Sequence, residues 1–194
     1  MKTRFIGDIH GKIGEYLALT DSCEQSVQVG DFGYGFIDIP EIPPQHRFIR
    51  GNHDNPSLVK QSPNWIPDGT REGNILYIGG AWSIDQSYRI EGKSWWVDEQ
   101  CSYEELDRFL TEAYSNPPQI VVSHDCPGLA VPYLFGKESI QTRTGQALSA
   151  LWQMYKPKLW LHGHWHNDIV KEINGTRFIC LNELSYIDID LEKV

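Results

Sequence analysis

Arg4-Phe5-Ile6-Gly7-Asp8-Ile9-His10 begins as a strand and ends in a carboxylate and an imidazole. The same transition recurs four times along the chain. Val27-Gln28-Val29 runs into Gly30-Asp31, and Phe48-Ile49 into Gly51-Asn52-His53-Asp54. Ile120-Val121-Val122 precedes His124, and Leu159-Trp160-Leu161 precedes Gly163-His164-Trp165-His166. Short apolar runs alternating with helical stretches predict an α/β architecture. Such sheets place their sites in loops at the carboxyl ends of strands, so the five fragments are expected to gather at one edge.

The residue types narrow the chemistry. Asp oxygens and His nitrogens suit divalent ions from Mn2+ to Zn2+ without any thiolate. Asp8 and His10 are two apart, as are His164 and His166, so each pair points to one side of an extended segment. Asp31 has two oxygens with which to bridge two ions, and Asn52 offers a neutral carbonyl oxygen. Ions held about 3.5–4 Å apart turn a bridging water into hydroxide and stabilise in-line displacement at phosphorus. No fragment is specific alone, since Asn and Asp are common turn formers. Taken together they absorb five of the seven histidines (His10, His53, His124, His164, His166). His46, beside a proline pair, is expected at the surface. His162 is expected to pack or to support the ligands.

In this order the fragments read D-x-H, G-D, G-N-H-[DE], H and G-H-x-H, which resembles the calcineurin-like metallophosphoesterase family across residues 8–166. The resemblance implies a two-sheet β-sandwich flanked by helices, a four-layer α/β/β/α arrangement. It implies a binuclear metal-dependent hydrolase of phosphate mono- or diesters with a bridging hydroxide as nucleophile. Asp8, His10, Asp31 and His166 would hold one ion, and Asp31, Asn52, His124 and His164 the other. Mn2+ is the expected ion, with Fe, Zn, Ni or Co as alternatives. His53 would stand beside the substrate as proton donor or charge stabiliser, with Asp54 behind it and Asn52 also in contact. Two ions outweigh two carboxylates and a hydroxide, so the centre would be positive in a chain of formal charge −9 and would itself attract the anion.

Departures from the family's branches refine the substrate. Protein serine/threonine phosphatases carry Gly-Asp-x-x-Asp-Arg-Gly, whereas Gly30-Asp31-Phe32-Gly33-Tyr34-Gly35 lacks the second Asp and the Arg. Asp8-Ile9-His10-Gly11 and Arg50-Gly51-Asn52-His53 do match that branch. The missing arginine removes a phosphate clamp and favours a small or nucleotide-like phosphoester, in a small bacterial or phage-type member. A protein phosphatase, or a non-catalytic scaffold on the same fold, is the alternative; the scaffold would show lost ligands, and none is lost. The metallo-β-lactamase run H-x-H-x-D-H is not met by His162-Gly163-His164-Trp165-His166-Asn167. Gly7-Asp8-Ile9-His10-Gly11-Lys12 falls one residue short of a Walker loop.

Composition sets the remaining bounds. A length of 194 residues suits one domain over 1–194. The 17 basic against 26 acidic residues argue against a stable nucleic-acid partner. Four cysteines without C-x-x-C spacing predict free thiols in a reducing compartment. No apolar run approaches the ~18 residues of a membrane span, and the expected location is cytoplasmic. Helices are expected over 12–20, 103–114 and 139–155, the last with Ile140, Ala147, Leu148, Leu151 and Met154 on one face. A helical turn is expected at 57–60, a strand at 75–78 and a proline-rich connection over 34–46. Asn174-Gly175 predicts a hairpin, and 186–191 a final edge strand. Residues 80–98 carry Trp82, Trp95, Trp96, Arg89 and Lys93. They read as a lid whose aromatics stack a ring and whose Arg89 binds a phosphate, or, for Trp95 and Trp96, as cover for the core. Asp125 and Asp168 read as acceptors that fix a histidine tautomer or as solvated turn residues.

Overall fold

Successive residues of the apolar runs serve different cores, which is why those runs are apolar on both faces. The computed structural model describes residues 2–194. The chain runs β1 (Lys2–Ile6), α1 (Ile13–Thr20), β2 (Ser26–Gln28), β3 (His46–Phe48), α2 (Pro56–Val59), β4 (Arg71–Glu72) and β5 (Ile75–Ile78). It continues through α3 (Tyr103–Ser115), β6 (Ile120–Ser123), α4 (Val131–Phe135), α5 (Arg143–Tyr155) and β7 (Leu159–His162). Strands β8 (Ile169–Ile173), β9 (Thr176–Cys180) and β10 (Tyr186–Asp190) close it. One sheet has the order β10-β1-β2-β3 and the other β4-β5-β6-β7-β9-β8.

Ile120, Val122, Leu159, Leu161, Tyr77 and Ile179 share a buried cluster with Phe5, Val27, Val29 and Ile49 of the first sheet. Their sequence neighbours Val121, Trp160, Leu76 and Phe178 join Leu106, Phe109, Leu148, Leu151 and Trp152 of α3 and α5. Ile6 and Phe48 meet Tyr16 of α1 on the far side of the first sheet. The layers are therefore helix, sheet, sheet, helix, as the resemblance implied.

Local signals explain most element ends. Ser102 caps α3 by accepting from Glu105 N at 3.1 Å, while Glu105 Oε2 accepts from Ser102 N at 2.8 Å. Asn174 and Gly175 both have positive φ, 51° and 84°, as the tight turn between β8 and β9 requires. β10 pairs antiparallel with β1 at the sheet edge.

Two expectations need correction. The long helix starts at Arg143 rather than at 139, because Thr142 Oγ1 caps it by accepting from Gly145 N at 2.9 Å. Ile140 lies before it and Met154 on its outer face, at 51 % and 56 % exposure. A 3-10 turn (Gly128–Ala130) and α4 occupy the stretch before it, unforeseen. His46 is buried at the start of β3, its Nδ1 2.9 Å from Ser26 Oγ. All four cysteines are free thiols. Among the described residues no helix is long and apolar enough to cross a membrane.

β1, β2 and β3 run parallel, as do β5, β6, β7 and β9. The loops that leave the carboxyl ends of β1, β2, β3, β6 and β7 carry the five fragments, three from one sheet and two from the other.

Candidate metal centre

Asp8 and Asp31 are buried carboxylates, 0 % and 1 % exposed. Among the described residues their ion pairs run only to histidines. His166 Nε2 lies 3.1 Å from Asp8 Oδ2 and 3.1 Å from His10 Nε2. His10 Nε2 is 3.9 Å from Asp8 Oδ2 and 3.9 Å from Asp31 Oδ2. On the other side, His124 Nε2 lies 3.3 Å from Asp31 Oδ1 and 3.1 Å from Asn52 Oδ1. The two oxygens of Asp31 thus face different histidines. His164 stands beside His124, ring centroids 5.1 Å apart.

Three sets of donor atoms lie close enough to share an ion: Asp8, His10, His166; Asp8, Asp31, His124; and His10, Asp31, His53. The donor set fits divalent cations of the borderline type. Two buried carboxylates ringed by imidazoles, with no lysine or arginine between them, need positive charge to balance them. Without a cation a proton takes that place. Burial lowers the His124 pKa, but the carboxylates of Asp31 and Asp8 win and raise it to about 10. Burial likewise opposes ionisation of Asp31, yet His124 and its neighbours hold its carboxyl well below the usual range.

The backbone is bent to make this convergence. His10, Asp31, His164 and His166 have φ of 44°, 59°, 66° and 47°, in the left-handed region that costs a residue with a Cβ about 1–2 kcal/mol. Hydrogen bonds hold them there: His10 N donates to Asp31 O at 2.8 Å, and His164 N to both Asp8 oxygens at 3.2 Å. Gly51 and Gly163 supply room. A Cβ at Gly51 would fall on the Asp31 carboxylate, and one at Gly163 on Asp8 Oδ1.

Asp54 does not stand behind His53. Its Oδ1 accepts from Gly33 N and Tyr34 N at 2.7 and 3.1 Å, and its Oδ2 from Phe32 N and Gly51 N at 3.0 and 2.8 Å. With four acceptor positions filled, Asp54 ties the Asp31 loop to the Asn52 loop. The neighbour of His53 is instead Arg89, whose Nη2 lies 2.7 Å from Nε2. Burial lowers the His53 pKa to about 4; Asp31 opposes this and Arg89 adds to it. Arg89 is braced by Asp85 Oδ1 at 2.7 Å and Ser94 O at 2.9 Å.

A pocket of about 470 Å³ opens over the centre, lined among others by Asp31, Asn52, His53, Trp82, Arg89 and Trp165. Trp96 packs edge-on against Phe36 and is cover, whereas Trp82 faces the pocket. Asp125 is buried, but its Oδ1 accepts from Trp165 Nε1 at 2.9 Å and Cys126 N at 2.7 Å instead of orienting a histidine. Asp168 accepts from Asn182 N at 3.1 Å. His162 is buried and packs edge-on near Phe135, the first of the two roles expected of it.

Three residues of the site's surroundings carried no sequence signal of their role. Arg50 matches a branch motif, yet it is buried and turned away from the centre. Its Nε donates to Asp68 at 2.6 Å and its Nη1 to Asp98 O and Glu99 O at 2.9 and 2.8 Å. Ser83 and Glu99 contact Asn52 from beneath, directly and in series.

A family model described as calcineurin-like phosphoesterase matches residues 1–168. No curated protein matches the chain. Among solved structures, a candidate 5′-nucleotidase of Staphylococcus aureus, in complex with α-ketoglutarate, is similar at 11 % identity and a TM-score of 0.55. That match covers 98 % of this chain and 51 % of the other, so the chain spans about half its length. The anchor protein of the inner membrane complex of Plasmodium matches at 12 % identity and TM-score 0.48, over 93 % of this chain and 71 % of that one. A predicted phosphoesterase of Streptococcus pneumoniae matches at 14 % and 0.42, over 98 % and 84 %. At such identities the first likeness concerns the fold alone.

Proposed function

The chain belongs to the calcineurin-like phosphoesterase family, and from that premise we propose that it is a binuclear metal-dependent hydrolase of small or nucleotide-like phosphoesters, using Mn2+. The observation that carries this reading is Asp31, whose two oxygens face His10 on one side and His124 on the other. Asp8, His10, Asp31 and His166 would hold one ion, and Asp31, Asn52, His124 and His164 the second. When bound, such a pair supplies a nucleophile drawn from water and neutralises charge on the phosphoryl group.

The chain's own residues do the rest. Arg89 lines the pocket with one nitrogen directed at His53 and the others braced. Nη2 brought onto a phosphoryl oxygen would form a charge-assisted hydrogen bond. While Arg89 donates to His53 Nε2, that nitrogen carries no proton. Once Arg89 moves to the substrate, His53 Nε2 is free to take up the proton released from the attacking water and pass it to the leaving oxygen. Trp82 and Trp165 offer apolar surface beside the centre for a ring on the ester.

Asp31→Asn tests the reading. It is expected to lose at least one ion and nearly all turnover, because a neutral amide leaves an already cationic pair less balanced. Two ions still bound with normal turnover would assign the bridge elsewhere.

A further inference from the structure

Asn52 can present either its oxygen or its amide nitrogen to the centre, and only the oxygen can hold a cation. The structure shows what decides. Asn52, Ser83 and Glu99 are all buried, at 2 %, 1 % and 2 % exposure. Glu99 Oε1 accepts from Ser83 N at 3.0 Å, and Oε2 from Ser83 Oγ at 2.5 Å. A carboxylate has no proton to give, so the single hydroxyl proton of Ser83 is committed to Glu99. Ser83 Oγ therefore meets Asn52 as an acceptor, and the group that faces it at 2.9 Å must be the NH2. That leaves Asn52 Oδ1 on the opposite side, 3.1 Å from His124 Nε2.

We propose that Glu99 and Ser83 are positioning residues for the second metal site: a buried carboxylate polarises a hydroxyl, and the hydroxyl fixes the Asn52 amide with its carbonyl towards the ion. The proposal rests on the binuclear reading above. The relay also ties the ligand loop to the segment that carries Arg89. Gly80 N donates to Arg50 O at 2.8 Å, and Arg50 Nη1 holds Glu99 O at 2.8 Å, so both ends of residues 80–99 are pinned beside Asn52. With so little solvent access no water can replace a lost partner, and the network stands or falls as a unit.

Glu99→Gln separates this role from bulk packing because it is nearly isosteric. A glutamine NH2 can donate to Ser83 Oγ, releasing the hydroxyl proton towards Asn52 and allowing the amide to turn over. Calorimetric titration of metal-free protein with Mn2+, with elemental analysis after dialysis, reads the result. Wild type is expected to bind two ions. Glu99→Gln and Ser83→Ala are expected to weaken one binding event about 10–100-fold and leave the other unchanged, and Ser83→Thr, which keeps the hydroxyl, to restore it. Two unaltered binding events in Glu99→Gln and Ser83→Ala overturn the relay, as does an equal loss of both ions, which a merely structural role would give. A wild type that binds fewer than two ions overturns the binuclear reading itself and the relay with it.

Discussion

His53 and Asp54 are neighbours in sequence that face different tasks. A motif lists residue types in order, but it does not say which hydrogen-bond partners a side chain finds. Asp54 accepts four backbone N–H groups and lies too committed to serve the imidazole. Asp54→Asn would point an NH2 at two of those donors, and leaving buried donors unmet costs about 1–3 kcal/mol each. Denaturant unfolding should therefore show a loss on the order of 3 kcal/mol, with no change in preference between leaving groups. His53 should behave in the opposite way. If it carries the proton to the leaving oxygen, His53→Ala should lose about 10²–10⁴-fold on an alkyl phosphoester and much less on a nitrophenyl ester. Both ions should remain in that variant. One of its ring nitrogens does lie within reach of His10 and Asp31 donors, so loss of an ion would make His53 a ligand instead.

Elements decide how these residues arrive together. The five strand-to-loop transitions were legible because period-2 burial on both faces produces apolar runs, and because four of the five lead into glycine followed by a ligand-type residue, the run before His124 passing through Ser123 instead. The glycines at 51 and 163 were legible only as the ends of apolar runs, and their actual work is to vacate space for Asp31 and Asp8. What stayed hidden depends on long-range contacts. Nothing local marks Ser83 or Glu99, and Arg50 reads only as part of a branch motif, whereas it is sequestered by Asp68 and by carbonyls of 98 and 99. The helix expected from 139 was misplaced because apolar spacing at Ile140 outweighed the capping threonine at 142. Two outcomes test the 80–99 segment. Arg50→Ala strands Asp68, whose side chain is only 10 % exposed, and should cost about 3–5 kcal/mol of stability. Arg89→Ala should raise KM at least as strongly as it lowers kcat, and Arg89→Lys should restore little, since an ammonium lacks the planar fork that Asp85, Ser94 and the substrate would share.

At the scale of the whole molecule, the two sheets bring three loops from one side and two from the other around a pair of carboxylates. The four-layer architecture could be read from sequence, and so could the convergence of Asp8, His10, Asp31, His53, His124 and His166 on one place, because the chemistry of a cation site restricts residue types more tightly than packing does. The acidic surface could not supply the attraction for an anionic ester, so the account rests on bound cations. In the metal-free protein a proton on His124, whose pKa is raised to about 10, occupies the place of a cation. A raised pKa means that the proton must leave before the nitrogen can bind an ion. Apparent metal affinity should thus rise with pH, by about tenfold per unit for each proton displaced, until the pH passes that pKa. A pH series of Mn2+ titrations checks the slope. The most direct test of the central claim is turnover of a nitrophenyl phosphoester by protein stripped of metal and then titrated with Mn2+. The account predicts no turnover at the start and a rise that levels off at two ions per chain; undiminished turnover in the metal-free protein would contradict it.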